Sequence, residues 1–188
     1  MNKNKTFLIV IVVLVGAFFL NRYTQAKHES SSSLIFSGDT GQIQKVLIQK
    51  EDDAIQLEFA DSSWSIAGND SLIVRENRIT DLFDIVLTTE KSTKVSENPK
   101  KWYKFSVDDS LGTHVALISK TDETLGYYVF GRSKTDWSHN YVRMRQSPEV
   151  YLTNSSIIHH LGTTESFWGK EPPTPEVSDS LEINDDNF

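Results

Sequence analysis

The chain contains no cysteine. It can therefore form no disulfide, and it has no thiol to carry a lipid, which excludes a lipoprotein anchor. A domain of this chain outside the cytoplasm must hold together by burial alone. It also lacks a surplus of positive charge: 19 basic residues face 26 acidic ones, for a net charge of −7. No nucleic-acid partner is expected from such a balance, because neutralising phosphates takes a basic face. The motifs that announce common chemistries are missing as well. There is no G-x-S-x-G, no G-x-x-x-x-G-K-[ST], no G-x-G-x-x-G, no H-E-x-x-H and no calcium-binding loop. Adjacent carboxylates at Asp108-Asp109 and Glu51-Asp52-Asp53 read as turn residues, since acid-base catalysis needs two carboxylates in separate environments. Neither catalytic residues nor a cofactor nor a metal is expected. The neighbouring His159 and His160 would point about 100° apart on a helix and cannot readily share one ion.

What the chain does have is one uninterrupted apolar run, FLIVIVVLVGAFFL at residues 7–20. As a helix these 14 residues (7 through 20) rise about 21 Å, short of a hydrocarbon core of about 30 Å. Two readings fit. One is a signal peptide cut after Thr24-Gln25-Ala26, an imperfect A-x-A. The other is an uncleaved signal anchor over residues 6–23, with Lys5 and Arg22 snorkelling to the headgroups. The anchor is preferred, because Arg22 and Tyr23 stand between the run and the cleavage site. The basic flanks are balanced, so the free amino terminus sets the orientation: the N-terminus is cytoplasmic and everything after Tyr23 lies outside.

The expected domain plan is residues 1–27 for the anchor and its flanks, 28–39 for a serine-rich polar spacer, 40–170 for an extracytoplasmic domain, and 171–188 for an acidic tail. That tail holds three prolines, six acids and no base, so it is expected to stay disordered. Within the domain, residues 43–50 and 54–59 alternate apolar with polar across a Glu51-Asp52-Asp53 turn and predict a hairpin; residues 64–66 add a third strand. Ile79, Leu82, Phe83, Val86 and Leu87 then fall on one helical stripe within residues 76–90. Asn98-Pro99 marks the start of a short helix carrying Trp102 and Phe105 inward, with residues 92–96 as an edge strand before it. Residues 114–120 with 125–130, and 141–145 with 149–152, make two more hairpins, and Asn154-Ser155-Ser156 precedes a last helix at 157–161 closed by Gly162. The expected fold is α+β: antiparallel hairpins with about seven strands, two to three short helices packed on the sheet, and a transmembrane helix in front.

Four residues are candidates for binding. Trp137 and His139 lie in the polar loop 131–140, an aromatic platform suited to a sugar or peptide if exposed, or a packing residue if the tryptophan folds back on the sheet. Arg143 and Arg145 share a strand parity with Tyr141, opposite to Val142 and Met144; two guanidiniums on one face read first as a solvated outer face, and as a functional alternative would grip an anionic polymer or acidic partner. The lysines at 91, 94, 100, 101 and 104 are diluted by Glu90 and Glu97; such a run could touch anionic lipid, but it reads first as a solvated face.

The pattern resembles a known family. It is carried by Trp64-Ser65-Ile66 followed by Ile79, Leu82 and Phe83; by Trp102-Tyr103-Lys104-Phe105-Ser106-Val107 followed by Leu111-Gly112-Thr113; by Phe130-Gly131-Arg132, Tyr141-Val142-Arg143 and Val150-Tyr151-Leu152; and by Trp168. Over residues 40–170 the chain is similar to the bacterial domain of unknown function 4340 family, with one departure: Ser106 stands where glycine is expected at the end of the short helix. The resemblance implies a domain outside the bacterial inner membrane behind a single N-terminal anchor, beside ABC-type exporters or gliding-motility components. It carries over no catalytic residue. The expected role is a non-enzymatic module in an envelope or transport-associated complex; the second reading is a cell-wall or polysaccharide-binding domain.

Overall fold

A computed structural model describes residues 33–145 and 147–173. The apolar run at 7–20 and tail residues 174–188 lie outside the described residues, and among those described no helix is long and apolar enough to cross a membrane. Among the described residues eleven strands form: β1 (Ser33–Leu34), β2 (Ile43–Lys50), β3 (Asp53–Ala60), β4 (Ser63–Ile66), β5 (Ile73–Val74), β6 (Glu90–Ser96), β7 (Thr113–Ser119), β8 (Thr124–Arg132), β9 (Asn140–Met144), β10 (Val150–Thr153) and β11 (Gly169–Lys170). Nine of them make one sheet in the order β1-β6-β10-β9-β8-β7-β2-β3-β4, while β5 and β11 pair separately. Every pairing among these strands is antiparallel: the turns between sequence neighbours enforce it for β2–β3, β3–β4, β7–β8, β8–β9 and β9–β10, and the longer-range pairs β2–β7, β6–β10, β1–β6 and β5–β11 follow the same sense.

The count of about seven strands was low because β1, β5 and β11 have two residues each, too few to show a period. The expected spacer also ends earlier than its composition implied. Ser33–Leu34 pairs with β6, and the following Ile35 and Phe36 are buried in the main core.

The chain leaves β4 at one edge of the sheet and re-enters at β6 near the other. Helix α1 (Glu76–Asp81), widening into a π turn over Leu82–Val86, makes the crossing and buries Leu82, Val86 and Leu87 against the sheet. The π geometry is visible in the Leu87 N–H, which donates to Leu82 O, five residues back. The helical stripe is therefore real, but the helix stops at Val86 rather than continuing to Glu90. Thr88 and Thr89 donate their hydroxyls to Asp84 O and Ile85 O and close its end.

The two sides of the sheet are covered unequally. One side carries the larger core, including Val46, Ile48, Leu57, Leu117, Phe130, Val142 and Trp168. The other carries a smaller cluster of Val107, Val129 and Val150 beneath Trp102 and Phe105 of a 3-10 turn, Pro99–Phe105. That turn begins as expected: Asn98 Oδ1 accepts from the Lys100 N–H, with Pro99 at the first position. The last helix shrinks to a 3-10 turn, Ile158–His160, and it is not capped by the Asn154-Ser155-Ser156 triplet. Its cap comes from β9, where buried Asn140 accepts from the Ile157 and Ile158 N–H groups at 2.6 and 3.0 Å. A second helix, α2 (Glu165–Trp168), places the fully buried Trp168 in the core.

Candidate functional site

Arg143 sits on the sheet side opposite Val142, as its parity required, but that side is not wet. The segment 99–109 lies over it and leaves Arg143 only 1 % exposed. Its Nε donates to Val107 O at 3.0 Å, Nη1 to Arg145 O at 2.6 Å and Nη2 to Asp109 Oδ1 at 3.2 Å. The guanidinium carbon stacks 3.9 Å from the Trp102 ring centre, and the Trp102 indole N–H in turn donates to Pro148 O. Burial thus overturns for Arg143 both the solvated-face reading and the partner-gripping one. Its donors are spent tying the covering segment to β9, and an uncompensated buried cation would be costly.

The same pocket of polarity gathers His114, Tyr127 and Asp108. His114 Nδ1 and Tyr127 Oη share a hydrogen bond of 2.5 Å. Burial holds the His114 imidazole below its ordinary value, reinforced by Arg143 and opposed by Asp109. Burial likewise raises the Tyr127 phenol. Asp108 is half-buried; desolvation works against its charge, but hydrogen bonds from Ser110 and Leu111 outweigh it and lower its pKa. His114 and Tyr127 pack together beside Arg143, and Asp108 belongs to the covering segment that Arg143 holds, so the cluster is a clamp.

Arg145 takes a different course. It lies just past the end of β9 with φ 50°, its N–H bonded to Tyr127 O and its Nη2 to Thr124 O. There it rims a groove of about 650 Å³ whose other walls include Phe36, Leu125, Tyr128 and Met144. The Tyr128 phenol is pushed up to about 12, chiefly by burial.

Trp137 and His139 occupy the loop between β8 and β9. The register pairs Arg132 with Asn140 at the loop and Tyr128 with Met144 at the far end, so this loop and Arg145 stand at opposite ends of β9. Trp137 is 75 % exposed and does not fold back on the sheet. Behind it, Asp136 Oδ1 accepts from the Ser138 N–H and Asp136 Oδ2 pairs with His139 Nδ1 at 2.6 Å, which together hold the Asp136 pKa down. With Arg132, Asn140, Ile158 and His159 they line a small cavity of about 170 Å³. The four candidate residues therefore form no single site: one is a buried clamp, one rims a groove, and two share a loop. Among the described residues there is no group of three or more histidine and carboxylate side chains arranged to hold a metal. His160 bonds instead to Asp81 Oδ2 at 3.2 Å.

Composition gave no hint of another groove, of about 430 Å³, between β4 and α1. Trp64, Leu72, Ile73, Val74 and Ile79 line it. Trp64 stands between Phe59 and Phe83, with ring centres 5.4 and 5.8 Å away. The signal was present as scattered apolar residues, but only the crossing from β4 to β6 brings them together.

Comparison with known proteins bears on this arrangement. Residues 64–172 match the family described as Domain of unknown function (DUF4340). The chain belongs to that family. No curated protein and no solved structure matches it. The DUF4340 match opens at Trp64 in β4, so β1, β2 and β3 precede it, although β2 and β3 lie inside the same sheet. Among the residues that carry the family pattern, Phe130, Val142, Tyr151 and Trp168 are buried in the main core, and Trp102 and Phe105 close the smaller one. The pattern that marks DUF4340 in this chain is one of packing.

Proposed function

We propose that this protein is a non-catalytic interaction module, held outside the bacterial inner membrane by residues 6–23, that helps assemble an envelope or transport-associated complex. The observation that carries the reading is the β4 edge. β4 is the last strand of the nine-stranded sheet, and the apolar groove of Trp64, Leu72, Val74 and Ile79 runs beside it, with Ile73 46 % exposed. An edge strand offers unpaired backbone groups, and an adjacent groove offers pockets for alternate side chains, which are the two requirements of strand addition by a partner.

A photo-crosslinking amino acid at Ile73 in the full chain, activated in intact envelopes, is expected to give one discrete adduct with a membrane protein. If Ile73 gives no more adduct than the same probe at Asp52 on the β2–β3 turn, the edge is no docking site. The tether is tested separately: protein purified from membranes whose sequence starts at Lys27 would overturn it.

One observation favours a second reading, a polysaccharide-binding domain. Trp137 presents an exposed ring at a small cavity that it lines together with Asp136, His139 and Arg132, an arrangement suited to stacking on a sugar. Glycan binding that survives Trp137→Ala unchanged removes this reading.

A further inference from the structure

The 3-10 turn Pro99–Phe105 has three residues per repeat, so Trp102 and Phe105 share its inner face while Lys100, Lys101, Tyr103 and Lys104 are turned to solvent. Tyr103 is 58 % exposed, an aromatic ring among three exposed ammonium groups, with Lys104 Nζ 6.0 Å from its centre. The remaining lysines of the stretch are engaged. Lys94 is paired with Glu97 and Glu149, and Lys91 lies 5.0 Å over the Tyr151 ring. Lys100, Lys101 and Lys104 form no ion pair among the described residues.

The direction of β1 bears on where this face points. Ser33 pairs with Lys91 and Leu34 with Glu90, so reading backwards from Leu34 to Ser33 runs along β6 toward Ser96, the end from which the basic turn springs. Between Leu20 and Ser33 stand residues 21–32, twelve in number, which span at most about 42 Å when extended. A net charge of −7 opposes approach to an anionic surface in a random orientation. We infer that Lys100, Lys101, Tyr103 and Lys104 form a docking face for anionic lipid headgroups, which lays the tethered domain on the membrane with the Pro99–Phe105 turn downward. Lysine ammonium groups suit headgroup phosphates, and a tyrosine at the interface keeps its hydroxyl wet while its ring meets the acyl boundary. The inference rests on the membrane-tether reading and goes beyond it.

Because the chain has no cysteine, a single introduced thiol can be labelled cleanly. Full-length Tyr103→Cys carrying an environment-sensitive dye is reconstituted into phosphatidylcholine vesicles with or without about a third phosphatidylglycerol. The expected result is a blue shift in the anionic vesicles alone, abolished by 0.5 M salt as roughly expected for screened contacts, and abolished by adding Lys100→Gln, Lys101→Gln and Lys104→Gln. The same dye on Asp52→Cys, at the β2–β3 turn, should not respond. Equal emission in both vesicle types, or a shift that survives the triple substitution, overturns the docking face. Extraction with alkaline carbonate reports on the tether independently: a chain that leaves the vesicles has lost the tether reading, and its dye response to added anionic vesicles still decides the face.

Discussion

Ser106 holds φ 53° and ψ 38°, the left-handed conformation, at the end of the Pro99–Phe105 turn. The Val107 N–H reaches back to Trp102 O and the Ser106 N–H to Tyr103 O, while Val107 and Trp102 pack together, which completes a Schellman closure. Glycine is the residue that occupies this position without strain, which gives a physical reason why the family resemblance implies glycine here. A left-handed L-residue costs about 1–2 kcal/mol, and glycine's extra unfolded-state freedom returns about 0.5–1 kcal/mol of that. Ser106→Gly is therefore expected to stabilise the domain by about 0.5 kcal/mol, seen as a higher urea midpoint at unchanged slope. Arg143 shows what residue-level reading misses. Its face was legible from strand parity, but the segment that covers that face is 34 residues away in sequence at Asp109, so burial was invisible until the chain was folded.

Among elements, those with a local cause were readable and those with a distant one were not. The Asn98-Pro99 start and the Ile79-Leu82-Phe83-Val86 stripe are written into consecutive residues. By contrast, the turn at Ile158–His160 is capped by Asn140, 17 and 18 residues upstream of the two N–H groups it accepts. Gly131 belongs to the second kind. A Cβ built there would stand 2.0 Å from Phe105 O and 2.7 Å from Ser106 O, so β8 and the covering turn approach at a distance only a glycine permits. Both obstacles are backbone atoms that cannot swing away. Gly131→Ala is expected to lift the 99–105 turn off the sheet and cost about 1–3 kcal/mol by analogy with overpacked sites. Hydrogen exchange should show protection lost first at Val107 and Ser106, whose N–H groups close that turn; uniform protection with an unchanged midpoint would contradict the assignment.

At the scale of the whole molecule, stability should follow the imidazoles. His114 is held below 6.5 by burial first and by Arg143, against the pull of Asp109; His159 is held below 6.5 by burial and then by His160. Both native imidazoles favour the neutral form, whereas the unfolded chain takes up protons near 6.5. Below that value the unfolded state binds more protons, so stability falls as the pH drops through about 6.5 toward the lower native values. Asp136 and Glu149, whose carboxylates are stabilised by hydrogen bonds from Ser138 and Tyr151 respectively, add a further loss in the acid range. At the alkaline end, Tyr128 stays protonated to about 12 in the fold but ionises near 10 when unfolded, so stability declines again above pH 10. Urea midpoints are expected to rise between pH 5 and 7.5. Since His114 bonds to Tyr127 beneath the segment that Arg143 clamps, His114→Gln should lower the midpoint at pH 7.5 yet flatten this rise. A variant as pH-sensitive as the parent would assign the slope to other groups, and would show that the buried cluster on the covered side of the sheet does not sense protons.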